Sequence, residues 1–90
     1  MQDMKKVAHP SYYTKGGIEV YDVIKAYNLN FERGNACKYV LRAGEKDTNT
    51  EAEDCEKGAW YLIAHSARIK GCKRSEILKD MLERELQKEQ

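Results

Sequence analysis

The spacing of helix breakers constrains this chain most. Its single proline is Pro10. Beyond it, Gly16-Gly17, Asn28-Leu29-Asn30, Gly44 and Gly71 divide the sequence into segments of helical length. No segment alternates apolar and polar residues with the period of two that a half-buried strand requires. The expected class is therefore all-α, a compact bundle of about four helices behind an irregular N-terminal arm. Ninety residues hold one core, so a single domain is expected. It comprises an arm and glycine-rich loop over 1–17, a helical body over 18–70 and an amphipathic C-terminal helix over 71–90.

The spacing predicts a first helix from near Ile18, its apolar face made of Ile18, Val20, Tyr21, Val23, Ile24 and Tyr27. A second runs from Phe31 or Glu32 to Ala43, with Phe31, Ala36, Tyr39, Val40 and Ala43 turned inward and Gly44 at the C-cap. Thr50 and Glu53 form a capping-box pattern ahead of a third helix, Glu51 to about Lys70, which Gly71 ends. Its apolar side is read as Ala59, Trp60, Leu62, Ile63 and Ala67. Gly58 inside it costs about 1 kcal/mol against Ala and fits a close helix crossing or a ligand. A fourth helix is expected to start after Ser75, with Ile77, Leu78, Met81, Leu82 and Leu86 as its stripe. Such a core is small, and a homo-oligomer is the expected state.

Composition excludes several classes. Sixteen basic and 15 acidic residues leave a net charge of +1. The two halves carry +2 and −1, so no basic arm exists to drive duplex nucleic-acid binding. No apolar run reaches the roughly 18 residues of a membrane span. Met1–Lys6 is followed by no apolar h-region, so no signal peptide is expected. Cys37, Cys55 and Cys72 are odd in number and lack C-x-x-C spacing, which suits free thiols in a cytoplasm.

Three stretches offer chemistry. Asn35, Lys38, Tyr39 and Arg42 stand at i, i+3, i+4 and i+7, bringing an amide, an ammonium, a phenol and a guanidinium to one helix face. Lys and Arg one turn apart can clamp a phosphate, although Tyr39 in the core with solvated charges fits the spacing equally. On the third helix Lys57, Trp60 and Tyr61 offer aromatic walls and a cation for a nucleobase and its phosphate, unless Trp60 is plain core. Tyr12-Tyr13-Thr14-Lys15-Gly16-Gly17 precedes a helix N-terminus and reads as an anion cradle or a simple glycine turn. No Walker A or G-x-G-x-x-G pattern occurs.

The pairs Glu19/Asp22 and Glu51/Asp54 have the i, i+3 spacing that can hold Mg²⁺ beside a nucleotide, similar to the E-x-x-D of MazG-type pyrophosphohydrolases. Acidic residues are also common in first helical turns for reasons of the helix dipole alone. His9 and His65 have no Cys or His at zinc-ligand spacing. Arg68, Lys70, Lys73 and Arg74 form the one basic cluster, read first as a solvated helix end.

Together these blocks resemble a small domain family of bacteriophages, long catalogued as of unknown function and called phage nucleotide kinase. The resemblance covers residues about 9 to 69. It is carried by His9-Pro10 with Tyr13, then Gly16-Gly17-Ile18-Glu19 and Asp22, then Phe31, Gly34-Asn35-Ala36, Lys38-Tyr39, Arg42-Ala43-Gly44 and Lys46, then Glu53-Asp54, Lys57 and Ala59-Trp60-Tyr61-Leu62. It implies a phage protein acting in the cytoplasm of an infected bacterial host and binding a nucleotide. It also implies phosphoryl transfer to nucleoside monophosphates without a Walker A loop, with Mg²⁺ and ATP as cofactors. The site residues would be Tyr12, Tyr13, Lys15, Gly16, Gly17, Asn35, Lys38, Tyr39, Arg42, Lys46, Lys57, Trp60 and Tyr61, with Glu19 and Asp22 toward metal.

Three departures bear on this. The family's His before Tyr13 is Tyr12, a poor general base at neutral pH; Cys55 and Gly58 replace a Leu and an Ala. Catalysis therefore competes with a non-catalytic reading, an anti-defence protein that sequesters a host nucleotide signal and needs no cofactor. Pyrophosphohydrolysis, and inhibition of a host enzyme through the C-terminal stripe, are further alternatives.

Overall fold

The computed structural model describes residues 16–45 and 50–90 of the chain. They form four helices and no strand: α1 (Val20–Ala26), α2 (Phe31–Arg42), α3 (Glu51–Lys70) and α4 (Arg74–Lys88). α2 packs along α3, α1 lies on α2, and α4 folds back on α3. Each helix starts and stops for a local reason. The α1 C-terminus closes with Asn28 in the left-handed region (φ 52°). Asn28 N–H then donates to the Lys25 carbonyl and Leu29 N–H to that of Ile24, the paired bonds of a Schellman motif. Gly71 (φ 67°) ends α3 the same way, with its N–H on Arg68 and that of Cys72 on Ala67.

At the N-termini, Asn30 Oδ1 accepts from Arg33 N–H at 2.8 Å. Thr50 and Glu53 make the expected reciprocal capping box at 3.1 and 2.8 Å. The first helix begins two residues later than the periodicity suggested, at Val20. The fourth begins earlier, at Arg74 rather than after Ser75. Glu76 decides that start, because its carboxylate accepts from Lys73 N–H at 2.8 Å and fixes Lys73 as the cap residue.

Glycine and alanine set the helix approaches. A Cβ on Gly34 would stand 3.3 Å from Ile24 Cγ2, and one on Gly58 would meet Tyr39 Cβ at 3.4 Å and the Ala36 carbonyl at 3.6 Å. Gly58 therefore marks the close crossing of α2 and α3. Among the described residues the buried hydrophobics are Val20, Ala36, Ala67 and Ile77. Tyr21, Phe31, Val40, Trp60 and Leu62, all expected inward, are exposed instead. The helices extend over 58 × 27 × 19 Å in little more than one layer, so an amphipathic face finds a neighbour on only part of its width.

Candidate functional site

The face of α3 that meets α2 is not its most apolar one. It runs through Asp54, Gly58, Tyr61, His65 and Arg68, one helical stripe. At one end the fully buried Asp54 carboxylate lies 3.8 Å from the Arg42 guanidinium and accepts the Gly44 N–H at 3.0 Å. Arg42 is itself buried and sits over the Tyr39 ring at 4.5 Å. Tyr39 stacks on Tyr61 with centroids 5.8 Å apart. Arg42 and Tyr39 thus join the two helices, and Asp54 holds a guanidinium.

At the other end Arg68 grips Glu32 through Nη2 and Nε at 2.6 and 3.3 Å. Those bonds hold the Glu32 carboxyl below the usual glutamate range and raise Arg68. His65 lies between them. Asn30 Oδ1 is committed to the α2 cap, so its Nδ2 donates to His65 Nε2 at 3.0 Å. His65 Nδ1 in turn lies 3.0 Å from Arg68 Nη2, which can only donate, and 3.6 Å from Glu32 Oε1.

Beyond this network lies a groove of about 900 Å³ between the start of α2, the middle of α3 and the start of α4. Its walls are Phe31, Glu32, Trp60, Tyr61, Ala64, Ala67, Arg68, Cys72, Lys73, Arg74, Ser75 and Leu78. Tyr61 meets Phe31 and Trp60 edge-to-face, at 6.0 and 5.1 Å. Arg74 lies over the Trp60 ring at 4.8 Å. Trp60 remains 48% exposed, so its indole lines the groove instead of filling a core. A smaller groove of about 310 Å³ lies beside it, lined by Ile24, Leu29, Asn30, Phe31, Gly34, Asn35 and Lys38, with Phe31 common to both.

The expected site residues are thereby distributed. Trp60 and Tyr61 line the larger groove, and Asn35 and Lys38 the smaller. Asn35 Nδ2 donates to the Phe31 carbonyl at 2.8 Å. Tyr39 and Arg42 belong to the α2–α3 contact. Lys57, Gly16 and Gly17 are exposed, and Gly17 has φ 80°. Tyr12, Tyr13, Lys15 and Lys46 lie outside the described residues. Arg74 takes the place beside Trp60 that spacing suggested for Lys57. Its signal in the sequence was membership of the basic cluster after Gly71, which only the return of α4 brings to Trp60.

Glu19 flanks the α1 N-terminus and Asp22 lies in its first turn. They could offer Mg²⁺ two carboxylates, with water and phosphate supplying its other ligands. Among the described residues no three His, Cys, Asp or Glu side chains gather to hold a metal. The three cysteines are free thiols. Among the described residues no helix is long and apolar enough to cross a membrane.

Compared with known proteins, residues 7–63 match the model of a family described as proteins of unknown function, DUF3310. No curated protein and no solved structure matches the chain.

Proposed function

This chain belongs to the DUF3310 family, and from the groove that its own residues build we propose that it binds a nucleotide beside Trp60. The observation that carries this reading is Arg74 over an exposed indole, in a groove that Phe31 and Tyr61 also line. A base stacks on Trp60 or Tyr61, an interaction worth about 1–3 kcal/mol. Its phosphate takes Lys73 and Arg74 at the positive end of the α4 dipole. The stripped-down requirement is binding alone, since Arg42 and Arg68 are already engaged by Asp54 and Glu32. A sequestering protein of the kind a phage uses against a host nucleotide signal fits these parts best.

Phosphoryl transfer to a nucleoside monophosphate is the second reading. The family resemblance favours it, and so does the second groove across Phe31, where Lys38 and Asn35 could receive the other substrate. It would need ATP and Mg²⁺, the latter on carboxylates such as Glu19 and Asp22.

A mass-balance assay separates the two. Stoichiometric protein is mixed with mono-, tri- and cyclic nucleotides, with and without Mg²⁺ and ATP, filtered, denatured, and both fractions chromatographed. The expected result is a nucleotide missing from the filtrate, recovered intact from the protein, and no longer retained by Trp60→Ala or Arg74→Ala. A new phosphorylated product establishes the kinase. No retention and no product across the panel overturns both readings.

A further inference from the structure

Helix α4 carries an apolar face that no other described helix covers. Leu78, Met81, Leu82 and Leu86 are 50, 46, 57 and 48% exposed and form one stripe, while Ile77 alone of α4 is buried. The first sign of what covers the stripe is the size of the core. Among the described residues of the single chain four hydrophobics are buried, whereas thirteen large hydrophobics are exposed. That imbalance is what a chain below the size of a self-sufficient domain shows when its core is completed by association.

The second sign is the order of charges. Leu82 sits at the centre of a mirror in which charge is inverted. Glu76 and Lys88 are equidistant from it, as are Lys79 and Glu85, and Asp80 and Arg84; Leu78 and Leu86 are equidistant too. Six of the eight charges of Arg74–Lys88 fall into these pairs, and the segment is neutral overall. When two copies of this helix lie antiparallel about Leu82, residues equidistant from Leu82 come level with one another. Leucine then meets leucine, and each of the six charges lies level with its opposite. In a parallel pair every charge would lie level with its own like, which costs energy. The Asp80–Arg84 ion pair, at 2.9 Å, lies two residues either side of Leu82 and so on the far face of the helix, where it stays within one copy.

We propose that two copies of this chain associate through α4 as an antiparallel pair with its two-fold axis at Leu82. Residue 82 then faces its own copy, as an isologous contact requires. The stripe begins at Leu78, which also edges the larger groove, so the pair extends the covered surface outward from that groove.

Sedimentation equilibrium on the full chain tests this. The wild-type protein is expected at twice its 10.4 kDa. Leu82→Glu, which sets two carboxylates together on the axis, is expected to weaken the dimer at least tenfold with helicity by circular dichroism unchanged. Lys79→Glu and Glu85→Lys are each expected to weaken it, and the double variant to restore it, because inverting both members of a level pair restores opposite charge. Mixed oxidation of a Leu78→Cys chain with a Leu86→Cys chain is expected to give the 78–86 cross-linked peptide by mass spectrometry. A wild-type monomer over the whole concentration range, a Leu82→Glu dimer as tight as wild type, or 78–78 cross-links in place of 78–86 would overturn the proposal.

Discussion

Two arginines of this chain stand over aromatic rings at nearly the same distance, Arg42 over Tyr39 at 4.5 Å and Arg74 over Trp60 at 4.8 Å. Their surroundings differ. Arg42 is 8% exposed and faces a buried carboxylate, so its charge is used up in fastening α2 to α3. Arg74 is exposed at a groove and, among the described residues, is in no ion pair. A cation on an aromatic face is thus a structural device where a carboxylate closes it off, and it stays accessible where it is left open. The burial and the counter-charge decide which, and the arginine–ring geometry does not.

The strongest way to break this comparison is to remove Asp54. Asp54→Ala takes a buried carboxylate away from the interior Arg42 guanidinium, a change that costs about 3–5 kcal/mol. Arg74→Ala removes an exposed cation–π contact worth about 0.5–1 kcal/mol. Urea unfolding followed by circular dichroism is expected to show that difference, and equal losses would mean that Arg42 is not fastening the helices. The same reasoning disqualifies Arg42 as a probe of binding, since any loss of nucleotide in Arg42→Ala would report unfolding.

Next in size are the effects on nucleotide retention. Trp60→Ala removes the stacking surface, and a loss of about 1–3 kcal/mol corresponds to roughly five- to 150-fold in affinity. Arg74→Ala is expected to match it for phosphorylated ligands and to spare nucleosides. Tyr39→Phe, on the closed side, is expected to change neither. Equilibrium dialysis with each variant measures all three, and a strong effect of Tyr39→Phe would move the site toward the α2–α3 contact.

The division between the two sides was only partly legible in the sequence. Local signals carried over well. The Thr50–Glu53 capping box, the break at Asn28–Asn30 and the Gly71 stop each depend on residues within one turn of one another, and each stands where the spacing placed it. Pairing between helices did not show. Arg42 read as a phosphate clamp or a solvated charge and Asp54 as a Mg²⁺ ligand or a first-turn acid, because periodicity carries no information about which helix lies opposite. The linkage of Asn30, Glu32, His65 and Arg68 was illegible for the same reason, as their network joins positions about 35 residues apart. The apolar periodicity of Phe31, Val40 and Trp60 was real but overstated burial, since a near-single layer of helices covers only one side of each.

Gly44 sharpens the comparison at a smaller scale. It has φ 79°, a Cβ on it would stand 3.0 Å from Glu51 Cβ, and its N–H is held by Asp54. Gly71 has φ 67° but open space around the would-be Cβ. The left-handed backbone alone costs an alanine about 1–2 kcal/mol. Gly44→Ala is therefore expected to exceed Gly71→Ala in thermal unfolding, because it also displaces a bond to the buried carboxylate. Equal melting temperatures would mean that the Gly44–Asp54 contact contributes little.

The smallest effect lies where the two sides meet, at Glu32 and Arg68. Arg68 lines the groove as Arg74 does, but Glu32 holds it with two hydrogen bonds, and those bonds keep the Glu32 carboxyl lower than usual. A depressed carboxylate stabilises the fold above its unfolded pKa of about 4.3 and loses that contribution as pH falls through the lower folded value. The melting temperature of Glu32→Gln is therefore expected below wild type at neutral pH, with the gap closing under acid. It is expected to narrow in high salt too, as for any accessible ion pair. The Glu53 carboxyl, lowered by the Thr50 N–H, keeps a residual acid dependence in both proteins. The binding readout runs in the opposite sense. Freed from Glu32, Arg68 keeps only its 3.0 Å contact with His65 Nδ1 and offers the groove an uncompensated charge, and Glu32→Gln is expected to bind phosphorylated nucleotides severalfold more tightly while it folds less stably. A variant that lost both stability and affinity would show that Arg68 serves the groove only as the fastening of its wall.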